Sequence, residues 1–153
     1  DGSVLLRFEG GARGVLLTSQ VSVGEENGLT FRVYGDQRGV RWSQERPDQL
    51  QVAALDGPEE TWSRGSDYVA LESPAAARAT RLPPGHPEGF IESFANVYHN
   101  VCDAIGARIQ ETDPGSLVLD YPTVDDGLRG MLFIESVVKS TRSRQKWTRV
   151  PER

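Results

Sequence analysis

The sequence predicts an α+β fold: a mostly antiparallel, open-faced sheet of roughly five to seven strands with two helices packed on one face. Three observations predict it. Up to Ala54 the chain alternates apolar and mixed residues with period two. Short glycine-rich turns separate these runs, and short turns join neighbours antiparallel because parallel neighbours need long crossovers. Beyond Pro83 the apolar spacing becomes that of helices. At 153 residues the chain suffices for one domain with a real core, and residues 1–153 are read as that single domain.

In the first strand Val4, Leu6 and Phe8 point one way and Leu5, Arg7 and Glu9 the other. Gly10-Gly11 marks a hairpin turn. The second strand spans Gly14 to Ser22, with Val15, Leu17, Ser19 and Val21 opposite Leu16, Thr18, Gln20 and Ser22. Gly24 to Gly28, which includes Asn27, is a turn. The third strand, Leu29 to Tyr34, buries Leu29, Phe31 and Val33 and shows Thr30, Arg32 and Tyr34. A fourth sets Val40, Trp42 and Gln44 against Arg41, Ser43 and Glu45, and a fifth turns Leu50, Val52 and Ala54 inward. Thr61-Trp62-Ser63 is a sixth candidate, and alanine-rich Ser73–Thr80 is either a helical turn or a loop. One apolar and one mixed face describe a sheet covered on one side. The mixed face sets Leu5, Leu16 and Tyr34 among Arg7, Gln20, Arg32 and Arg41. It reads either as a solvated surface or as a subunit contact.

Pro83-Pro84-Gly85-His86-Pro87-Glu88-Gly89-Phe90 opens a helix running to Gln110. Pro87 suits its first turn, and Glu88 sits where the positive helix end favours a carboxylate. Phe90, Phe94, Val97, Val101, Ala104 and Ile105 share the face expected to cover the sheet. A second helix starts at Thr123 as N-cap, with Asp126 completing a capping box, and runs to Thr141. Its stripe is Val124, Leu128, Met131, Glu135 and Val138, flanked by Leu132 and Ile134. Lys146–Val150 reads as an edge strand anchored by Trp147.

The net charge of −5 argues against a nucleic-acid partner, which would need a basic surface. No apolar run approaches the roughly 20 residues that span a bilayer, so no membrane partner is expected. Cys102 is the single cysteine, which forbids an internal disulfide and fits a reducing, cytoplasmic setting. The chain opens at Asp1, without methionine or signal peptide, straight into strand pattern, and is read as a piece of a longer protein. Two histidines and one cysteine, with no pair at ligand spacing, leave no metal site. Gly10, Gly11 and Gly14 lie between two strands with no following helix, which makes them a hairpin and not a dinucleotide fingerprint. The basic residues from Lys139 onward read as a helix end complementing its dipole. His86 stands apart, in a proline- and glycine-bounded loop at a helix N-terminus. Backbone N–H groups there attract polar ligand groups, and an imidazole near neutral pH donates to a sugar hydroxyl or carbonyl. The plain alternative is a loop histidine that satisfies neighbouring backbone groups.

Three stretches, in their order and spacing, resemble one family. They are Leu5-Leu6-Arg7-Phe8-Glu9-Gly10-Gly11-Ala12-Arg13-Gly14 with Ser19-Gln20-Val21-Ser22; Gly85-His86-Pro87-Glu88-Gly89-Phe90 with Phe94-Ala95-Asn96; and Asp120-Tyr121-Pro122-Thr123 with Asp126-Gly127-Leu128-Arg129 and Ile134-Glu135. Together they look like the C-terminal domain of the Gfo/Idh/MocA oxidoreductases, the glucose–fructose oxidoreductase and inositol dehydrogenase family. The resemblance implies a two-domain parent whose N-terminal Rossmann domain binds NAD or NADP. It also implies hydride transfer to or from a sugar, polyol or related hydroxy compound. The C-terminal domain would close over this small-molecule substrate and form a homo-oligomer through its open sheet face. The family's nucleotide fingerprint, its Glu-Lys-Pro motif and its aspartate–histidine helix are absent. No catalytic residue is therefore assigned here, and the piece alone is expected to bind no cofactor. By the same resemblance His86, with Gln20 and Asn27, would contact substrate, and Arg7, Arg32 and Tyr34 would line the oligomer interface. The rival reading is a stand-alone sheet-mediated dimerisation or carbohydrate-binding module without catalysis.

Overall fold

Strands β1 (Gly2–Arg7) and β2 (Arg13–Thr18) pair antiparallel, from Gly2 opposite Thr18 to Arg7 opposite Arg13. Their turn is closed by two 3.0 Å bonds, from the Phe8 N–H to the Ala12 carbonyl and from the Gly11 N–H to the Phe8 carbonyl. The computed structural model describes residues 1–152 and divides the chain into two compact units. One unit holds Asp1–Glu25 and the chain from Pro122 onward; the other holds Glu26–Tyr121. The second strand stops at Thr18 and does not reach Ser22. β1 pairs nothing beyond Gly2, and the Ser19 hydroxyl accepts the Val21 N–H at 3.1 Å, which bends the chain locally.

In the same unit, α4 (Val124–Arg142; the earlier helices follow below) carries the expected capping box. The Thr123 Oγ1 accepts the Asp126 N–H at 3.4 Å, and the Asp126 Oδ2 accepts the Thr123 N–H at 2.9 Å and its hydroxyl at 2.7 Å. Those donors, the hydroxyl first, hold the Asp126 carboxyl below its ordinary value of 3.8. The sheltered face of α4 is rotated from the expected stripe. Leu132, Phe133 and Val137 are half-buried and Ser136 is buried, while Leu128, Met131 and Val138 stay exposed. Lys146–Val150 forms no strand. Trp147 instead lies under the Arg7 guanidinium, 4.0 Å from ring centroid to Cζ, and Arg149 pairs with Glu9 at 3.3 Å.

The second unit contains β3 (Thr30–Tyr34), β4 (Arg38–Ser43), β5 (Gln49–Ala54) and β6 (Glu59–Ser63), hydrogen-bonded in that order and antiparallel throughout. Six strands thus form a two-stranded and a four-stranded sheet, not one sheet of five to seven. Residues 19–29 are irregular, so the meander restarts at β3 without pairing to β2. The register places Phe31, Val33, Val40, Trp42, Leu50, Val52 and Trp62 on one face. Arg32, Tyr34, Arg41, Gln51, Thr61 and Glu59 take the other.

Helices α1 (Asp67–Glu72), α2 (Pro74–Ala79) and α3 (Phe90–Ile109) complete this unit. The alanine-rich stretch is α2, started by Pro74 and by the Ser73 hydroxyl, which accepts the Ala76 N–H at 3.2 Å. α3 begins at Phe90 and not at Pro87, with Gly89 as its cap. Its packed side is only partly the expected one. Of the expected stripe Val101 and Ala104 are half-buried and Phe90, Phe94, Val97 and Ile105 are exposed, while Ala95, Asn96, Asn100 and Asp103 are half-buried as well. Hydrogen bonds explain this. Asn96 accepts from the Arg81 Nε and donates to the Ala79 carbonyl, both at 2.6 Å. Arg78 donates to the Asn100 Oδ1 at 3.0 Å and pairs with Asp103 at 2.8 Å, while Asn100 donates to the Asp120 carbonyl at 3.1 Å. The apolar sheet face is correspondingly left partly open in this unit, and α4, the second helix expected on it, belongs to the other unit. Val52 is buried, but Phe31 and Val33 remain 47% and 58% exposed.

Thr123→Ala removes an N-cap and should lower stability by about 1 kcal/mol, read from the urea midpoint. Because the folded Asp126 carboxyl titrates below its unfolded value, its contribution is present above the unfolded value and lost as pH falls through the lowered folded one. Asp126→Asn should therefore flatten the acid end of the stability–pH curve, and an unchanged curve would deny the box that role.

Candidate functional site at one end of the four-stranded sheet

The start of β3, the end of β4, the start of β5 and the end of β6 lie at one end of the sheet. Thr30 faces Ser43, Trp42 faces Leu50, and Gln49 faces Ser63. The connecting segments at residues 27–29, 44–48 and 64–66 therefore emerge together. The loop that precedes α3 is bound to two of them by one arginine. The Arg64 Nε donates to the Asp48 Oδ1 at 2.6 Å. Its Nη1 donates at 3.0 Å to both the Leu82 carbonyl and the Glu88 Oε1, and its Nη2 donates to the His86 carbonyl. Four of the five guanidinium N–H groups are thereby used. Glu88 is buried, and the same Oε1 accepts the Arg81 N–H at 2.7 Å and the Leu82 N–H. The Glu88 N–H returns to the Asp48 carboxylate at 3.2 Å.

Glu88 is thus not the helix-end carboxylate that its position suggests. Glu92 takes that role: its Oε2 accepts the Gly89 N–H at 2.8 Å, and this donation, followed by that of its own N–H, holds its carboxyl below the ordinary 4.5. Two glycines shape the loop. Gly85 sits at φ +86°, a region L side chains rarely adopt. Gly65 sits at φ +78° with the Pro84 backbone so close that a Cβ would stand 3.4 Å from it.

His86 projects from this braced loop. Its N–H donates to the Pro83 carbonyl at 3.2 Å and its carbonyl takes Arg64, but its exposed imidazole has no hydrogen bond among the described residues. Asn27 lies at the same end of the sheet. Its carbonyl accepts from the Gln44 Nε2 at 3.1 Å and from the Leu29 N–H at 2.8 Å, leaving the side-chain amide free among the described residues. The β3 and β6 edges are about 14 Å apart, three strand spacings. Gln20 is exposed in the bend after β2, in the other unit. Imidazole and carboxamide groups each donate and accept, which suits a hydroxyl-rich ligand. Among the described residues no cluster of three His, Cys, Asp or Glu side chains is placed to hold a metal. The glycine-rich segment is the β1–β2 hairpin, so the described residues offer no strand-to-helix cradle for a dinucleotide pyrophosphate. No described helix is long and apolar enough to cross a membrane.

Of the residues expected at an interface, Arg32 and Tyr34 share the polar face of β3 and are exposed. Arg32 stands directly opposite Arg41, a repulsive pairing. Arg41 is compensated by Glu59 at 2.6 Å, whereas Arg32 has no ion pair among the described residues. Tyr34, Arg38, Arg41, Gln51 and Glu59 line an open hollow of about 440 Å³ on this side. Arg7 is occupied by Trp147 in the other unit. Sequence reasoning missed Arg64 and Asp48. Asp48 carried only a turn signal beside Pro47, and no spacing rule links residues 16 and 24 apart.

Residues 2–150 match the model of the oxidoreductase family C-terminal alpha/beta domain, GFO_IDH_MocA_C. The chain is 31% identical over 144 residues to an uncharacterized oxidoreductase, YfiI, of Bacillus subtilis (strain 168), covering 94% of this chain and 36% of that protein. An oxidoreductase from Sinorhizobium meliloti superposes with a TM-score of 0.81 at 42% identity, over 91% of this chain and 37% of its own. An inositol dehydrogenase homolog from Azotobacter vinelandii, solved with NADH and myo-inositol, gives 0.80 at 31% identity over 92% and 36%. The chain spans little more than a third of each of these relatives. With the match running over nearly its whole length, the chain belongs to the C-terminal domain family of the Gfo/Idh/MocA oxidoreductases.

Proposed function

We propose that this chain is the substrate-side and subunit-pairing domain of a longer NAD(P)-dependent oxidoreductase that acts on a sugar, polyol or related hydroxy compound. The observation that carries the reading is His86: an exposed imidazole without a hydrogen-bond partner among the described residues, on a loop fixed by a part-buried ion network. Near neutral pH such a group both donates to and accepts from a hydroxyl. The free carboxamide of Asn27 at the same sheet end supplies a further neutral contact for the same ligand class. The NADH and myo-inositol bound by the Azotobacter protein support a nicotinamide cofactor and a polyol substrate. The dinucleotide is assigned to the remainder of the longer protein. The role of this chain is to bind and orient hydroxyl groups.

Subunit pairing is assigned to the polar face of the four-stranded sheet. Arg32 faces Arg41, whose charge Glu59 already meets, and has no ion pair of its own among the described residues, so a carboxylate from a second copy would pair it. A natural polypeptide of about this length would favour the stand-alone module instead.

In the longer enzyme, His86→Ala should lower kcat/KM for a polyol substrate by tenfold or more, about 1.4 kcal/mol. Unchanged kcat and KM would remove His86 from the site. Arg32→Glu should shift sedimentation toward the monomer, and an unaltered oligomer would place the subunit contact elsewhere.

A further inference from the structure

We propose that Arg64 is the positioning residue of this site: its planar guanidinium, seated between Asp48 and Glu88, fixes the loop at residues 82–89 so that the His86 imidazole stands clear of the protein. The inference rests on the reading of His86 as a ligand contact, and it names what holds that contact in place. Arg64 leaves the end of β6 next to Gly65, at the sheet end itself, so it is rooted in a rigid element. From there it reaches three segments that are distant in sequence. Asp48 lies 16 residues before it, Leu82 and His86 lie 18 and 22 after, and Glu88 lies 24 after.

The geometry favours orientation over simple charge balance. The bonds to the Leu82 and His86 carbonyls add no ion pairing, and they fall on both sides of the turn at Gly85. They fix the direction in which the backbone at His86 runs. Glu88 closes the far end of the loop from inside by accepting the Arg81 and Leu82 N–H groups as well. A lysine would retain the charge but has three donors on one atom, and cannot span these partners in the plane that the fork provides. Among the described residues no hydrogen bond reaches the imidazole, so the bracing acts on the backbone from which the side chain projects.

The test is Arg64→Lys in the 153-residue chain, followed by NMR. Amide hydrogen exchange is read at Leu82, His86 and Glu88, together with the imidazole resonances of His86. Amides of β4 and β5 report whether the sheet remains folded. Selective acceleration at the three loop amides by about tenfold or more, with shifted imidazole signals and protected sheet amides, is the expected result. Loop protection and imidazole signals equal to wild type would overturn the proposal. If the lysine variant loses the sheet amides, Glu88→Gln takes its place; it should loosen the loop alone, and a loop that stays protected in it overturns the proposal equally. The His86 reading fails separately. A His86→Ala variant of the longer enzyme with unchanged KM for myo-inositol would remove the ligand role and leave the bracing intact. A protected loop in Arg64→Lys would remove the bracing and leave the ligand role.

Discussion

A carboxylate taken out of water must be met by charge and hydrogen bonds, or the segment that carries it will not stay folded. Glu88 is such a group, and everything at the sheet end follows from how it is satisfied. Arg64 supplies the charge, and the Arg81 and Leu82 N–H groups supply the remaining bonds. Asp48 shares the guanidinium and accepts the Glu88 N–H. Removing Arg64 would leave the buried Glu88 carboxylate without its counter-charge, so the cluster acts as a unit. It joins the β4–β5 connection, the end of β6 and the approach to α3. Few apolar side chains in this unit are buried, and the ionic junction does joining work that a larger core would otherwise do.

Much of this architecture could be read from residue order. Alternation located β3, β4 and β5 and assigned their faces correctly, because period two admits only two answers and a one-residue error flips them all. The capping box at Thr123 and Asp126 was legible because its partners are three residues apart. What could not be read depends on distance along the chain. Glu88 sits one residue from a helix cap, where local rules assign it to the helix dipole, yet Arg64 draws it away from the helix. The division of the strands into two sheets also lay beyond periodicity, which marks strands but not their partners. For α3 the apolar stripe was only partly the sheltered side: Val101 and Ala104 are half-buried, but Phe90, Phe94, Val97 and Ile105 are exposed. Asn96 and Asn100, to which helical periodicity assigns no partner, form part of the contact surface.

The two proposed activities use different parts of the same sheet. Ligand contact is placed at an end, where loops converge and backbone groups are held fixed. Subunit contact is placed on a face, where the register sets Arg32, Tyr34 and Arg41 side by side. A strand end and a strand face are independent surfaces, so a loop can be altered for a new ligand without disturbing the pairing surface. This separation is consistent with membership of a family whose relatives keep the fold at about 30% identity.

The inward side of α3 is keyed by directional bonds to Asn96, Asn100 and Asp103. Oily packing tolerates a few degrees of roll about a helix axis, whereas carboxamides matched to specific carbonyls do not. The azimuth of α3 is accordingly indexed by its polar side and owes little to the outward rings of Phe90 and Phe94, whose centroids lie 4.7 Å apart. Truncating either ring would therefore leave the bearing of the helix in place.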